Sequence, residues 1–378
     1  MAEKINIGMI GCGFMGLAHS FGYRNCHAVW QTPYTPVMKC IADIRPPEEG
    51  QIMAQRLGFA EYTSDWRELV GREDIDLVDI CTPNYLHMEN AIAAAEAGKD
   101  ILCEKPLANS LEECKKMLQA VKESGVKAMC AFIYRQAPAV KLAKQMIESG
   151  ELGDIYHMRA AYLQDWIMDP DVPMLWRLKK EKAGSGALGD IGAHITDLAR
   201  FLVGDIDSVC GTMETFIKQR KNEQTGKMED VTVDDASIWC ARFENGALGT
   251  FEATRFAGGR KNYNSFEING SKGSIAWNFE DMNYLEYWKK GEGTKQGFRK
   301  VLATTKETPG FENWWPDGHI IGYGECFVNQ TQEMMNAIAE DREPIPSFED
   351  GVKCQAVLQA VQQATETKKW EEVPEIQD

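Results

Sequence analysis

The strongest constraint on this chain is a glycine pattern near its front, Gly11-Cys12-Gly13-Phe14-Met15-Gly16. It follows a short apolar run, Ile5 to Ile10, and precedes a helical stretch. In a strand-turn-helix unit of this kind the first glycine permits the tight turn and the second lets backbone approach a pyrophosphate. The third allows helix and strand to pack closely, and the helix N-terminus favours the anion. Gly11, Gly13, Phe14, Met15 and Gly16 are therefore candidate cofactor-binding residues. Alone, the hexapeptide is also compatible with a glycine turn that binds no nucleotide.

The residues that follow favour the nucleotide. Val37 to Ala42, Leu77 to Cys81, Ile101 to Cys103 and Ala128 to Phe132 are further short apolar runs, separated by segments long enough to cross over. Ala91 to Gly98 and Leu111 to Ser124 read as helices, the second with Ser110 as N-cap, Glu113 completing a capping box and Gly125 past its end. Such alternation predicts a parallel sheet covered on both faces, with ligands at the carboxyl ends of its strands.

Beyond residue 133 the texture changes. After a helix at Lys141 to Ser149, longer strands are expected at Ile155 to Leu163, Ser208 to Phe216, Ala236 to Phe243, Gly246 to Thr254 and Ser265 to Ile268. Glu244-Asn245-Gly246 and Asn269-Gly270 read as tight turns between them. Residues 218–230 and 289–300 read as loop or hairpin excursions, His27 to Pro36 as an inserted loop, and helices return at Glu325 to Ala339 and Gly351 to Thr367. The expected fold class is α/β, with a Rossmann dinucleotide-binding domain over 1–132 and a substrate-binding domain on a large, mainly antiparallel sheet over 133–378.

Charge narrows the partners. Lys plus Arg number 41 and Asp plus Glu 57, a net −16, which argues against nucleic acid or an anionic membrane surface. No window approaches the ~18–20 apolar residues of a membrane span, and Ile5 to Ile10 is too short for a signal-peptide core, so the chain reads as cytoplasmic. Its 11 cysteines have no C-x-x-C spacing and read as buried free thiols.

Four later segments carry candidate chemistry. Asp43, after the second strand, can accept hydrogen bonds from ribose hydroxyls and repel a 2′-phosphate, favouring NAD over NADP. Arg45 could instead accept that phosphate. Thr82-Pro83-Asn84 with His87, and Glu104-Lys105-Pro106, end the strands at Leu77 and Ile101, where the nicotinamide half would lie. Ordinary helix capping is the alternative for the first; a lysine at a buried strand end is costly unless it is used. Asp190 and His194 stand four apart, so on a helix they share a face, and a carboxylate beside an imidazole orients it for proton transfer. The alternatives are a capping Asp beside a packed His, or a metal site; with 6 histidines and none spaced to complete a ligand set, metal is set aside.

Taken together, Gly11 to Gly16, Thr82-Pro83-Asn84 with His87, Glu104-Lys105-Pro106 and Asp190-x-x-x-His194 resemble the Gfo/Idh/MocA oxidoreductase family over nearly the whole chain. Phe14-Met15-Gly16-x-x-His19-Ser20, Tyr162 to Trp166, Trp176-Arg177, Gly184 to Asp190, Glu252 to Arg255 and Gly322 to Glu325 resemble the members that oxidise C3 of glycosides and anhydrosugars. Residues 218–230 and Trp314 to His319 depart from that pattern.

The resemblance implies that Lys105, Asp190 and His194 are catalytic and that NAD lies against the glycine turn, Asp43, Thr82, Pro83, Asn84, His87, Glu104 and Lys105. It implies that His194 removes a hydroxyl proton, Asp190 steadies His194 and binds a neighbouring hydroxyl, and Lys105 bonds the reacting oxygen, with a swap between Lys105 and His194 left open. Tyr134, Gln164, Trp166, Trp176 and Arg177 supply the flat faces and forked donors a pyranose needs. The peptide bond before Pro106 is often cis in the family, and the open face of the large sheet commonly makes homo-oligomer contacts. Inositol or other polyol oxidation, an NAD-dependent glycosidase and a non-enzymatic NAD- and sugar-sensing regulator are the competing roles.

Overall fold

In the computed structural model, which describes residues 3–376, strand β1 (Glu3–Ile10) ends in four buried residues, as a strand covered on both faces must. It is followed by α1 (Phe14–Val29), β2 (Tyr34–Ala42), α2 (Pro47–Leu57), β3 (Glu61–Thr63), α3 (Trp66–Val70), β4 (Leu77–Ile80), α4 (His87–Glu96), β5 (Asp100–Cys103), α5 (Leu111–Ser124) and β6 (Ala128–Cys130). The six strands pair in the order β3-β2-β1-β4-β5-β6, parallel throughout. The order reverses between β1 and β4, which opens the crevice where such sheets bind ligands. No inserted loop spans His27 to Pro36; α1 runs through Val29 and β2 starts at Tyr34, so the extra residues lengthen regular elements. The capping box forms as expected, with Ser110 and Glu113 exchanging side-chain-to-backbone bonds.

The second unit opens with α6 (Pro138–Glu148), β7 (Ile155–Leu163), α7 (Lys180–Ala183), α8 (Ala193–Leu202) and β8 (Ile206–Glu214). A two-stranded hairpin, β9 (Gln219–Lys221) with β10 (Met228–Asp230), fills the polar stretch after β8. Then come β11 (Ala236–Phe243), β12 (Leu248–Thr254), β13 (Tyr263–Gly270), β14 (Gly273–Asn278), β15 (Tyr284–Lys289) and β16 (Arg299–Leu302). With β17 (Glu371–Glu372) they form a nine-stranded sheet ordered β16-β15-β14-β13-β7-β12-β11-β8-β17, parallel at β7/β12 and antiparallel at the other pairings. Burial alternates along β11, so one face of this sheet is covered and the other is open.

The two units are not two continuous stretches. The first comprises the chain to Gln136 together with Ile321–Val352, and the second Ala137–Ile320 together with Lys353 onward. A division at residues 132 and 133 leaves out this return. The returning helix α9 (Tyr323–Ala339) lies along α1 at Gly22, where an added Cβ would stand 2.6 Å from the Phe327 carbonyl oxygen. Its Met334 and Met335 join Ile7, Met9, Ile41, Leu77, Leu102 and Met129 in the core. Apolar spacing alone could not assign α9 to one sheet or the other. Helix α10 (Phe348–Thr367) follows.

All 11 cysteines are free; eight are buried, Cys81 and Cys210 half-buried, and Cys240 exposed. Among the described residues no helix is long and apolar enough to cross a membrane.

Candidate active site

The glycine turn is built by close approach. Gly11 has φ +98°, and a Cβ there would stand 2.7 Å from the Cys81 carbonyl oxygen, while one at Gly16 would stand 2.5 Å from that of Gly11. At Gly13 a Cβ would meet nothing within 4 Å, so the backbone at the start of α1 is open to a ligand. That open cradle fits the diphosphate of a dinucleotide. Phe14 is exposed and lies parallel to the Tyr323 ring at 6.3 Å, with Met15 half-buried beside it.

At the end of β2, Asp43 accepts the Cys12 N–H at 3.0 Å, the Arg45 N–H at 3.2 Å and an Arg45 guanidinium N–H at 2.8 Å. The guanidinium also contacts the Cys12 sulfur, a neutral thiol that burial pushes up to about 12. Arg45 is thus folded onto the carboxylate expected to face the ribose.

Past β4, Thr82, Pro83 and Asn84 are half-buried, and His87 is fully buried. The ring nitrogens of His87 stand 3.0 Å from the Pro106 carbonyl and 2.9 Å from that of Thr82. Burial lowers its pKa, so the neutral ring donates to one carbonyl at a time while bracing the Thr82 turn against the Lys105 turn. Its nitrogens face backbone, which sets it behind the strand ends.

The Lys105-Pro106 bond is cis. Lys105 is half-buried, and its N–H donates to Glu104 Oε2 at 3.1 Å. Glu104 is buried, and its Oε1 lies 3.0 Å from His19 Nε2. The other nitrogen of His19 stands 2.9 and 3.0 Å from the two oxygens of Asp79. Cys81 donates its thiol to Asp79 at 3.5 Å; burial, then the Asp79 charge, pushes that thiol well up, so it keeps its proton. His19, Asp79 and Cys81 are ligand types for a metal, with their atoms within 4.8 Å of one another. The 2.9 Å nitrogen–oxygen distance is that of a hydrogen bond. Sequence reading singled out neither His19 nor Asp79 for a role. A charged residue in the four-residue β4, buried throughout, was the available signal, since such a group requires a partner. Tyr134, in the turn Ile133–Gln136, is buried, and the Tyr323 hydroxyl is pushed well up by burial, with Tyr134 and Glu104 adding to it.

In the second unit Asp190 sits in a π-helical turn, Leu188–Gly192, a form frequent at functional sites, and His194 lies in the first turn of α8. The glycine loop before them is anchored by buried Asp234, which accepts the Gly186 N–H at 2.6 Å and the Leu188 N–H at 2.8 Å. Gly186 is obligatory there, because a Cβ would stand 1.7 Å from the Asp234 carbonyl oxygen.

The carboxylate of Asp190 is held by Arg255, whose guanidinium donates to it at 2.9 Å and to the Gly186 carbonyl at 3.0 Å. Arg255 is 1% exposed, and the Trp166 ring centroid stands 5.4 Å from its guanidinium carbon. His194 is buried, 5.8 Å from the Tyr162 ring. Tyr162 and Gln164 both donate to Asn262 Oδ1, at 2.6 and 2.9 Å. Arg177 stacks on Trp176 at 4.3 Å in a short turn, the guanidinium exposed and the indole half-buried. The fold thus gathers Asp190 with Trp166, and His194 with the strand that leads to Gln164. Arg255 has no role in the sequence reading; its signal is an arginine directly after a strand with one buried face, β12.

Residues 5–132 match the oxidoreductase family with the NAD-binding Rossmann fold, and residues 140–276 match the GFO/IDH/MocA C-terminal domain. The chain is 44% identical to levoglucosan dehydrogenase of Pseudarthrobacter phenanthrenivorans over 99% of both chains. It is 32% identical to scyllo-inositol 2-dehydrogenase (NAD(+)) of Bacillus subtilis over 70% of this chain and 73% of that one. Among solved structures, levoglucosan dehydrogenase in complex with NADH and levoglucosan superposes with a TM-score of 0.96 at 45% identity, over 99% of this chain and 100% of that one. An oxidoreductase domain protein from Kribbella flavida gives 0.95 at 46% identity, with the same coverage. The open glycine cradle fits an NAD-binding unit, and with both halves matched the chain belongs to the Gfo/Idh/MocA family of oxidoreductases.

Proposed function

We propose that this protein is an NAD-dependent dehydrogenase that oxidises a secondary hydroxyl, at C3, of a pyranose sugar, anhydrosugar or glycoside to the keto sugar. The observation that carries this reading is the likeness to levoglucosan dehydrogenase over 99% of both chains. NAD+, when bound, supplies the acceptor for the hydride from the carbinol carbon. Gly11, Gly13, Phe14, Met15 and Gly16 hold its diphosphate end, Asp43 its ribose, and the Thr82 and Glu104 turns its nicotinamide end. His194 accepts the hydroxyl proton, Lys105 hydrogen-bonds the reacting oxygen, and Asp190, steadied by Arg255, binds a neighbouring hydroxyl. Tyr134, Gln164, Trp166, Trp176 and Arg177 supply ring faces and donors for the sugar. Unpaired thiols support a reducing compartment, the cytoplasm. Exposed Ile238 and Leu248 on the open sheet face support a homo-oligomer.

Likeness to scyllo-inositol 2-dehydrogenase favours a second reading, oxidation of an inositol. One panel separates the two: anhydrosugars, free sugars, glycosides and inositols with NAD or NADP, followed by nicotinamide absorbance and by NMR location of the ketone. Turnover of an anhydrosugar or glycoside with the ketone at C3, lost in Lys105→Ala, is expected. Turnover of inositols alone, or a ketone elsewhere, overturns it. Aglycone release without net NADH identifies a glycosidase.

A further inference from the structure

Two buried ionisable residues of the first unit, His19 and Asp79, have no part in the chemistry proposed above. His19 of α1 stands between Asp79 of β4 and Glu104 at the end of β5, and all three are buried. Each ring nitrogen faces carboxylate oxygen, at 2.9 and 3.0 Å on the Asp79 side and 3.0 Å on the Glu104 side. Ionised carboxylates only accept, so both nitrogens carry hydrogen and the ring is an imidazolium between two anions. Burial, the largest single influence, pulls the imidazole pKa down, and the contacts with Asp79 and Cys81 together more than reverse this, leaving it well above its ordinary value. The Phe327 ring covers the imidazole at 5.3 Å.

What this ring does for the site follows from the other oxygen of Glu104. Oε1 faces His19, and Oε2 accepts the Lys105 N–H at 3.1 Å. Two hydrogen bonds in series therefore run from the first helix to the backbone of the lysine. We propose that His19 is a positioning residue, which fixes the Glu104 carboxylate and through it the Lys105 backbone, so that the ammonium is presented in one orientation. This role rests on the reading of Lys105 given under Proposed function. With His19 removed, two buried carboxylates lose their shared cation, and Glu104 turns away or takes up a proton. Either change weakens the acceptor that holds the Lys105 N–H.

The test uses the full chain as His19→Gln, with His19→Gln/Asp79→Asn as a second variant that removes the stranded charge if the first fails to fold. Lysines are reductively methylated with 13C, and the Lys105 resonance is assigned by its loss in Lys105→Arg. The expected result is a displaced Lys105 resonance. Turnover should fall by ~30- to 100-fold, the scale of a roughly 1 Å misplacement, with NADH affinity and KM within about threefold of wild type. An unchanged Lys105 resonance in a folded variant overturns the role whether or not the wild type oxidises a sugar. So does a kcat within about threefold of wild type. Failure of the parent reading is told apart because it appears in the wild-type substrate panel, whereas the resonance is read without substrate.

Discussion

Two carboxylates in two different units, Glu104 and Asp190, are each held by one basic side chain from far along the sequence. Glu104 is held by His19 at 3.0 Å, from 85 residues away, and Asp190 by Arg255 at 2.9 Å, from 65 residues away. They differ in solvent and in proton. The Glu104 side chain is 5% exposed and its base can titrate; Asp190 is 26% exposed and its base cannot. The lesson is that a buried carboxylate can be fixed by a cation that exists only because of its neighbours, whereas a carboxylate partly open to solvent is held by a charge that does not depend on its surroundings.

The largest expected effect comes from cutting the arginine arm. Arg255→Met should cost about 2–3 kcal/mol, less than the ~3–5 of a fully buried pair, because Asp190 is 26% exposed and can hydrate. Turnover should fall as well, since Asp190 loses its anchor. Urea unfolding checks the first, and adding Asp190→Asn should recover part of the stability. Full stability in the single variant would remove Arg255 from the comparison.

Next is Asp43, whose base is local. Arg45, two residues on, donates to it at 2.8 Å. Asp43→Ser should remove the repulsion of a 2′-phosphate and release Arg45 to bind it. One charge-assisted hydrogen bond is worth ~1.5–3 kcal/mol, and about 1.4 kcal/mol is tenfold, so the NADP/NAD preference should rise by ~10- to 100-fold. The ratio of kcat/KM values for the two cofactors measures it, and an unchanged ratio would show that Arg45 stays where it is.

A third effect separates the two arms by pH. The folded pKa of His19 lies above its unfolded value, so its stabilisation is fully present below ~6.5 and is lost as pH rises through the folded pKa. The urea midpoint of the wild type should carry this alkaline loss. His19→Gln should lack that component and Arg255→Met should keep it, and equal slopes in all three proteins would contradict the imidazolium.

These contrasts also sort what could be read from the chain. The glycine turn and the strand alternation were legible because each is a pattern of neighbours, fixed by backbone geometry and period. Lys105, Asp190 and His194 stood out because they lie in short motifs. His19 and Arg255 lay in segments that carried the resemblance but received no role, because their meaning lies in partners 60 or more residues away, which only the paired strands and helices bring close. The return of α9 to the first unit was invisible for the same reason: its apolar residues mark a packed face without naming what covers it. The loop expected over His27 to Pro36 is in fact helix and strand, because an unusual separation between Gly16 and Asp43 says only that residues were added.

The smallest effect is the control that calibrates the others. At the start of α5 the Ser110 hydroxyl accepts the Glu113 N–H at 3.2 Å, and Glu113 returns a bond to the Ser110 N–H at 3.2 Å. All partners lie within four residues and none is assigned a part in the chemistry. Ser110→Ala should therefore cost about 1 kcal/mol of stability, leave kcat and KM unchanged, and show no added dependence on pH. Urea unfolding and steady-state kinetics on the same preparation read both. A loss of turnover would mean that α5 and the Glu104 turn preceding it are coupled through the backbone. The positioning of Lys105 would then depend on this helix start as well as on His19.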